Sequence, residues 1–475
     1  MFPCHKTRII CTIGPASDTQ EKMMELLDAG MNIARLNLSH GEYEWHAKTI
    51  QNLREASRRT NKRLSIIADL PGPKIRIGNL VEEPIELMRD DHITLTTEEI
   101  IGTKDRVFVS LPELPQAVKY GDVIFLNDGI VQVKVIEIHE HDVKCQVIAG
   151  GELRSHKGLN LPGIDLGICA FTEHDRECLR FAFENGIESV SQSFIDNAKD
   201  VEALREAARE MGYDPFLIAK IERAGALKNI DEIIAASDGI MVARGDLGVE
   251  TRIESIAIIQ KELMYRANRL AKPVIVATQM LESMVNNARP TRAESTDVAN
   301  AILDGTDCIM LSEESAMGRY PVEAARMLAQ IAEMTEAHRY DFKPIELSSL
   351  SNDGRLQPLP EIISQNVRQT VEHIKPEAVI VHTQTGYTAR MISRFKLPVW
   401  TIAVSKSNVV SQQLMFTYGV LPVHLDELPN DWNVFARNII KEYDLKGSKF
   451  VLTEGPSPEY PTINPRVEII DLGEK

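Results

Sequence analysis

The 475-residue chain lacks the features that mark membrane, extracellular and nucleic-acid-binding proteins. It has no apolar run long enough to span a bilayer, and its N-terminal stretch, MFPCHKTRIICTIG, has too short an apolar core for a signal peptide. The six cysteines are scattered without a CxxC pair, which excludes a disulfide framework and a zinc site. A net charge of −16 argues against a nucleic-acid partner. We therefore expect a cytoplasmic protein without a membrane or nucleic-acid partner.

Short apolar segments alternate with helical patterns through the first two thirds of the chain. Nearly continuous apolar runs of this length are typical of strands buried on both faces of a parallel sheet. The eight segments are RIICTI (8–13), NIARLNL (32–38), LSIIADL (64–70), ESVSQSF (188–194), FLIAKI (216–221), GIMVAR (239–244), PVIVAT (273–278) and CIMLSE (308–313). Eight strand–helix units in succession predict a closed (β/α)8 TIM barrel within an α/β protein.

Two further regions interrupt or follow this pattern. After the third segment comes about a hundred residues of alternating, strand-like sequence, which predicts a β-barrel domain inserted in a barrel loop. An insertion on that side could act as a lid. We expect the catalytic barrel at residues 1–70 and 165–342, the lid at 71–164, a linker at 343–358 and a C-terminal α/β regulatory domain at 359–475.

Charged residues follow two neighbouring predicted strands, at the point where each strand ends. Lys220 and Glu222 come at the end of FLIAKI, and Arg244 and Asp246 come at the end of GIMVA. Ligands of parallel α/β folds bind beyond the carboxyl ends of the strands. We therefore expect these four charged side chains to lie together at that end of the barrel. Two carboxylates there suit Mg²⁺, and the lysine would stay protonated among them. The alternative is a buried charge network that only braces the barrel.

Other strand ends carry polar groups of the same kind. Arg35, Asn37 and Ser39 alternate in ARLNLSHG and so face one side of the chain, with His40 next. An arginine beside small oxygen ligands predicts a site for an anion and a cation, although a solvated strand end would have the same sequence. Thr278 adds a hydroxyl at the end of the seventh segment.

Further candidates lie on loops. Asp69, Lys74 and Arg76 flank the stiff Pro-Gly-Pro exit into the insertion, and Lys157 lies on the return from it. Near the C-terminus, HTQTGYTAR (382–390) joins a predicted strand to a helix. Hydroxyls and backbone N–H groups at such a junction can bind phosphate, but a plain threonine helix cap is an equally good interpretation.

These motifs together resemble the pyruvate kinase family. The resemblance is carried by KTRIICTIGPAS, NIARLNLSHG, GPKIR, HKGLNLPG, AKIE, DGIMVARGDLGVE, VATQMLESM and RPTRAESTDVANAILDGTDCIMLS. It implies a Mg²⁺- or Mn²⁺-dependent enzyme that converts phosphoenolpyruvate and ADP to pyruvate and ATP, the last step of glycolysis. It also implies a homotetramer with allosteric control through the C-terminal domain.

The resemblance also implies roles for individual residues. Arg35 would hold the substrate's phosphate, and Lys220 would stabilise the transferring phosphoryl group and the enolate. Gly245, Asp246 and Thr278 would bind the carboxylate side of the substrate, while Glu222 and Asp246 would ligate Mg²⁺. The nucleotide and the moving phosphoryl group would lie by Asn37, Ser39, His40, Arg76 and Lys157. No role follows for Arg244, and the proton donor to the enolate stays open.

Two departures from the family pattern affect the ions and effectors that we expect. The family's K⁺ ligands fall at Asn37, Ser39, Asp69 and Leu70, where other members have threonine at the last position. Lys74 stands where the K⁺-dependent branch has glutamate, so we expect an enzyme of bacterial type with no strict K⁺ requirement. Phosphorylated effectors would bind the loop that contains Thr383, Thr385, Gly386 and Thr388. The second effector loop, in GPSPEYPTINPRVEII, has prolines where glycines are frequent.

Two other classes of protein compete with this interpretation. A Mg²⁺-enolate lyase such as an aldolase also uses carboxylates at strand ends, but it needs no nucleotide clamp such as Arg76 and Lys157. A non-catalytic binding protein on the same scaffold would not need the four residues Lys220, Glu222, Asp246 and Thr278 together.

Overall fold

The computed structural model describes residues 2–127, 129–164, 169–339, 358–456, 460, 462 and 464–473. All eight predicted barrel strands form, and they pair in parallel into one closed ring. Numbered along the chain, they are β1 Arg8–Thr12, β2 Met31–Asn37, β3 Ser65–Asp69, β12 Ser189–Gln192, β13 Phe216–Ile221, β14 Gly239–Ala243, β15 Val274–Ala277 and β16 Cys308–Leu311. The ring closes because β1 pairs with both β2 and β16. The predicted (β/α)8 barrel is confirmed.

Helices surround the barrel and cover its outer face. Three of them begin with capping boxes, at Thr172, Asn197 and Thr291, which satisfy backbone N–H groups of the first turn. The α-helices are Gln20–Ala29, Tyr43–Thr60, Glu173–Glu184, Ala198–Glu210, Ala224–Lys228, Ile230–Ala236, Arg244–Glu250, Ile256–Arg269, Arg292–Asp304, Glu313–Ala316 and Pro321–His338, with 3-10 turns at Ile253–Ser255 and Glu282–Val285.

Two local details differ from the sequence prediction. Arg244 is the first residue of a helix and not the last residue of strand β14. The crossover after β13 is two short helices that meet at Asn229. No described helix combines the length and the apolar character that crossing a membrane requires.

Alternation along β13 explains why its lysine faces the site. Leu217, Ala219 and Ile221 pack outward against the helices, whereas Phe216 and Ile218 belong to the core inside the barrel. Inward side chains recur every second residue, so Lys220 continues the inward row at the carboxyl end of the strand.

The predicted inserted β domain is present and has its own apolar core. Its strands are β4 Ile85–Leu87, β5 His92–Thr96, β6 Arg106–Phe108, β7 Val123–Leu126, β8 Val131–Ile138, β9 Asp142–Ala149, β10 Gly151–Leu153 and β11 Leu159–Asn160, and its helix is Leu114–Ala117. The strands form a six-stranded sheet in the order β11-β7-β8-β9-β5-β6 and a two-stranded sheet β10-β4. The chain enters and leaves side by side, because Arg76 pairs with Gly158 in an antiparallel bridge.

The C-terminal α/β domain is a five-stranded sheet in the order β19-β18-β17-β20-β21, with only β21 antiparallel to its neighbour. The segment predicted as a linker, residues 343–358, lies outside the described residues apart from Pro358. The strands are β17 Ala378–His382, β18 Trp400–Ser405, β19 Val420–His424, β20 Lys449–Glu454 and β21 Arg466–Asp471, and the helices are Leu359–Ile374, Tyr387–Ser393, Asn408–Gln413, Leu414–Phe416 (3-10) and Trp432–Tyr443.

The C-terminal domain closes the floor of the barrel. Phe416 stacks on Phe216 with ring centroids 4.9 Å apart, and Met415 joins the same inner core. Beside this plug, the Lys396 ammonium lies 2.6 Å from the Asp307 carboxylate, and both side chains are almost fully buried. Removing one partner of such a pair would leave an uncompensated buried charge, so the contact holds the two domains together.

Candidate active site at the barrel mouth

Lys220 stands at the centre of the barrel mouth and is 9% exposed. Its Nζ lies 2.7 Å from Ser193 Oγ and 2.9 Å from Glu222 Oε1. Asp69 is the third partner, with an oxygen 3.4 Å away. Burial alone would lower the pKa of Lys220, but the charges of Asp69 and Glu222 outweigh it and raise the pKa above its ordinary value. The side chain is therefore a fixed positive charge.

Asp69, at the end of β3, links this lysine to Arg35 at the end of β2. Arg35 donates from Nε to Asp69 Oδ2 at 2.9 Å and pairs with the same oxygen through a second nitrogen. Ser191 Oγ donates to the other oxygen at 2.6 Å. Burial raises the pKa of Asp69, but Lys220 and Arg35 together lower it below the ordinary value. Asp69 therefore stays ionised between two cations.

Glu222 and Asp246 are the two carboxylates that could hold a metal ion. Glu222 is buried, and its Oε2 accepts from the backbone N–H of Phe194 at 2.8 Å. Burial raises its pKa, Lys220 lowers it, and the nearby charge of Asp246 raises it again. A divalent cation would relieve this repulsion, and two carboxylates with open positions suit Mg²⁺. Within the part of the chain that the structure describes, no cluster of three or more His, Cys, Asp or Glu offers another metal site.

A strained turn after β15 carries the Thr278 hydroxyl. Thr278 and Gln279 both have left-handed backbone conformations, with φ of +68° and +54°. Non-glycine residues adopt this region at a cost, so the surroundings must hold the turn. Thr278 Oγ1 accepts from the N–H of Gly245 at 2.8 Å and donates to the carbonyl of Ala277 at 2.6 Å. The turn thus fixes the hydroxyl against the start of the helix that contains Asp246.

Arg244 supplies the support for this turn. Its guanidinium donates to the carbonyls of Thr278 at 2.8 Å and Gln279 at 3.4 Å. On its other side it pairs with Asp297 at 2.6 Å. Arg244, for which the sequence indicated no role, therefore connects the Thr278 turn to the helix Arg292–Asp304.

The end of β2 faces the two chain crossings into the inserted domain. Asn37 Oδ1 accepts from the N–H of Ser39 at 3.2 Å, and His40 is exposed in the following turn. Partial loss of solvent around the ring and the nearby charges of Arg76, Lys74 and Arg35 lower the pKa of His40, which favours its neutral form. The Lys157 carbonyl accepts from the N–H of Ile77, one residue after Arg76. The structure thus brings the predicted lid residues towards the end of β2.

Comparison with known proteins agrees with these motifs and this geometry. The family described as "Pyruvate kinase, barrel domain" matches residues 4–325, and "Pyruvate kinase, alpha/beta domain" matches residues 361–461. A pyruvate kinase of Thermococcus litoralis is 44% identical over 459 residues, which cover 96% of each chain. The chain belongs to the pyruvate kinase family.

Other members of the pyruvate kinase family support the same assignment. A pyruvate kinase of Bacillus licheniformis is 40% identical over 97% of this chain and 79% of its own length. The crystal structure of a pyruvate kinase from Cryptosporidium parvum superimposes with a TM-score of 0.89 at 33% identity, covering 99% of this chain and 97% of that chain. The chain is accordingly a kinase, a phosphotransferase.

The residues that the resemblance assigns to a K⁺ pocket lie in different environments. The side chain of Leu70 is 1% exposed and packs in the core between the barrel and its helices. Its carbonyl accepts from Ser193 Oγ at 2.8 Å. Asp69 is occupied by Arg35 and Lys220 as described above, while Lys74 is exposed on the loop that follows.

The candidate effector loop is tightly closed in this structure. Thr383 Oγ1 accepts from the N–H of Gly386 at 2.9 Å, and Thr385 Oγ1 accepts from the N–H of Tyr387 at 3.4 Å. The cavity beside the loop, which Thr388 also lines, is about 10 Å³ and is bounded by a His382–Glu454 pair at 2.6 Å. The second effector loop lies partly outside the described residues.

Two serines and one backbone N–H, on β12 or just after it, contribute to the site without having been predicted. Ser191 holds Asp69, Ser193 contacts Lys220, and the N–H of Phe194 binds Glu222. A signal is visible in ESVSQSF, where polar residues alternate in a buried strand of a type that is usually apolar throughout. Thr12, which accepts from Arg35 at 2.9 Å, has no comparable signal.

The Arg244 contacts generate a prediction. Arg244→Lys keeps the positive charge beside Asp297 but loses the planar fork that reaches the Thr278 carbonyl. We expect kcat for pyruvate formation to fall about 10- to 100-fold, because a misplaced Thr278 disturbs the reacting geometry. The control is Arg252→Lys, an exposed arginine paired with Glu254, which should leave kcat unchanged. Wild-type kcat in Arg244→Lys would show that the fork is not required.

Proposed function

We propose that this enzyme transfers the phosphoryl group of phosphoenolpyruvate to ADP, giving pyruvate and ATP as the last step of glycolysis. The observation that carries the proposal is the buried, charged Lys220 between Asp69 and Glu222 at the barrel mouth. Phosphoryl transfer requires mostly positioning and charge neutralisation, and a desolvated fixed cation supplies both.

Arg35 and Lys220 would bind the phosphoryl end of the substrate. Arg35 donates from Nε to Asp69 and from Nη1 to Thr12, which orients its guanidinium plane before substrate binds. Lys220 would then contact the transferring group and the enolate oxygen that forms as the group leaves. Both cations are preorganised, so little reorganisation accompanies the reaction.

Glu222 and Asp246 would hold Mg²⁺ or Mn²⁺. When bound, the ion supplies positive charge that neutralises the phosphoryl oxygens. The pKa of Glu222 is raised mainly by its burial and further by the nearby charge of Asp246, and a bound cation would relieve both.

The Thr278 turn would bind the carboxylate side of the substrate together with the backbone of Gly245 and Asp246. Here the Gly245 N–H donates to Thr278 Oγ1, so substrate must take over that hydrogen bond. The Thr278 hydroxyl proton is directed at the Ala277 carbonyl. We infer that this hydroxyl must rotate before it could relay a proton, directly or through water, to the enolate.

The inserted domain would act as the nucleotide lid. Arg76 and Lys157 lie on the paired chain crossings, and Asn37, Ser39 and His40 lie below them on the barrel. A neutral His40 beside these cations leaves the region positive enough for a diphosphate without adding a titrating charge near neutral pH. A lyase has no need of such a clamp, which favours a kinase over the aldolase alternative.

We infer that Lys74 replaces K⁺. The charge of Lys74 contributes to lowering the pKa of His40, which lies beside Asn37 and Ser39 of the family's K⁺ pocket. A tethered ammonium in this place can supply the charge that K⁺ supplies elsewhere in the family.

Allosteric control and assembly are further proposals. Phosphate binding at the loop of Thr383, Thr385, Gly386 and Thr388 would require Glu454 to leave His382, because the cavity between them holds no more than one water. We also infer a cytoplasmic homotetramer. Ile253 is 73% exposed and Ile258 is 66% exposed, and large apolar side chains this exposed suit a contact between subunits. Sedimentation equilibrium would measure the number of subunits in the assembly.

The first prediction from the proposed function tests the reaction itself. A coupled assay should detect pyruvate from phosphoenolpyruvate and ADP with Mg²⁺, and Lys220→Met should lower kcat by about 1,000-fold or more, because it removes the fixed charge from the transition state. ADP binding, measured by calorimetry, should survive. Lys228→Met, an exposed lysine on the adjacent helix, is the matched control and should behave as wild type. Near-normal turnover in Lys220→Met would refute the assignment.

A second prediction concerns monovalent ions. In a sodium-free tetramethylammonium buffer, wild-type kcat should change less than about twofold on adding K⁺, because Lys74 already supplies the charge. Lys74→Glu should lose K⁺-free activity and recover it with K⁺. Lys119→Glu makes the same charge change at an exposed lid position and should show neither effect. A steep K⁺ requirement in the wild type would contradict the proposal.

The third prediction addresses the effector loop. Sugar phosphates or nucleoside monophosphates should shift the phosphoenolpyruvate saturation curve to lower concentration. Glu454→Gln should strengthen the response, because it removes an anion from the site. Glu468→Gln removes an exposed carboxylate from the neighbouring strand and serves as the control. If no such ligand shifts the curve in any variant, the loop is structural.

A further inference from the structure

Strand β12 carries an unusual row of buried serines. Ser189, Ser191 and Ser193 occupy alternate positions along or just after the strand, and each is at most 3% exposed. Buried strands of parallel barrels usually carry apolar residues, since every buried hydroxyl needs a hydrogen-bond partner. The partners of the three hydroxyls therefore show what each serine does.

The first two serines brace the strand and the carboxylate beside it. Ser189 Oγ donates to the carbonyl of Ile66 at 2.7 Å, a contact between neighbouring strands below the site. Ser191 Oγ donates to Asp69 Oδ1 at 2.6 Å. Lys220 forms its hydrogen bonds with other partners than these two hydroxyls.

Ser193 differs because it makes two contacts of opposite kind. Its hydroxyl donates to the carbonyl of Leu70 at 2.8 Å and accepts from Lys220 Nζ at 2.7 Å. A hydroxyl has one proton to donate, and in Ser193 that proton is in the hydrogen bond to the Leu70 carbonyl. The oxygen lone pairs are therefore left to face the lysine, and Ser193 is fixed as an acceptor.

The three N–H donors of Lys220 consequently have unequal partners. Ser193 at 2.7 Å and Glu222 at 2.9 Å are short contacts. Asp69 at 3.4 Å is the longest and weakest of the three, and Arg35 and Ser191 already bind that carboxylate. The direction towards Asp69 is the one that an incoming anion could take at the lowest cost.

We propose that Ser193 is a positioning residue for Lys220. It holds the ammonium together with Glu222, so that the third N–H turns from Asp69 to the phosphoryl or enolate oxygen of the substrate. This inference rests on the proposed function, because it assigns a support to the lysine that acts there. The backbone contributes as well: Phe194, next in the chain, has φ of +61° and donates its N–H to Glu222.

The test compares Ser193→Ala with Ser193→Cys. Alanine removes the acceptor and leaves a small void, whereas cysteine nearly fills the volume with a weak acceptor. Both should lower kcat about 10- to 100-fold through misplacement of Lys220. KM for phosphoenolpyruvate should change less than about threefold, since Arg35 and the Thr278 turn are untouched. Ser189→Ala, a buried serine of the same strand that also donates to a carbonyl, should keep wild-type kcat.

Each alternative outcome overturns the proposal. Wild-type kcat in Ser193→Ala would show that Lys220 needs no such acceptor. Recovery of kcat in Ser193→Cys alone would assign a packing role, as would failure of both variants to fold in thermal unfolding measurements. If Ser193→Ala alone fails to fold, Ser193→Cys decides. The reaction proposal is tested separately, by pyruvate formation in the wild-type protein and by its loss in Lys220→Met.

Discussion

The structure depends on one buried ammonium group. Lys220 can stay charged inside the barrel mouth only because Asp69 and Glu222 outweigh the cost of burial, and these carboxylates stay in place only because Arg35 and backbone or hydroxyl donors hold them. Removing one member of a buried charge network leaves another charge unpaired, at a cost of about 3–5 kcal/mol. The network joins β2, β3, β12 and β13, so the same contacts that create the reactive charge also fix the register of the barrel at its mouth.

The opposite end of the same strand is also fixed. Phe216 begins β13 and stacks on Phe416 of the C-terminal domain, while Lys220 stands near the other end of the strand. The buried Lys396–Asp307 pair anchors that domain beside the plug. The C-terminal domain is therefore part of the inner core of the barrel and not an appendage. A movement of this domain would act directly on the base of the strand that carries Lys220.

Much of this arrangement follows from local sequence, and the exceptions have physical reasons. The barrel strands and the charges at their ends were predictable because fully buried parallel strands are apolar runs that stop where solvent begins. The contact of Ser193 with Lys220 was not predictable, because the two residues are 27 positions apart in the sequence and the contact depends on the direction of one hydroxyl proton. The left-handed turn at Thr278 was not predictable because it contains no glycine. It is held by Arg244, which the sequence pattern assigned to a strand. The break at Asn229 is likewise a tertiary effect, since the helical pattern continues through it.

The charge balance of the mouth is consistent with the proposed role of the inserted domain. Arg35 and Lys220 face Asp69, Glu222 and Asp246, so the barrel side of the site carries one net negative charge. Two anionic substrates would be repelled from such a site unless cations were added. A divalent ion would supply part of this charge. In the proposed function, the rest would come from three side chains on the crossings into the inserted domain, Lys74, Arg76 and Lys157. Because these cations come from the inserted domain, favourable electrostatics would be complete only with the lid over the barrel, and the open site would disfavour transfer to water.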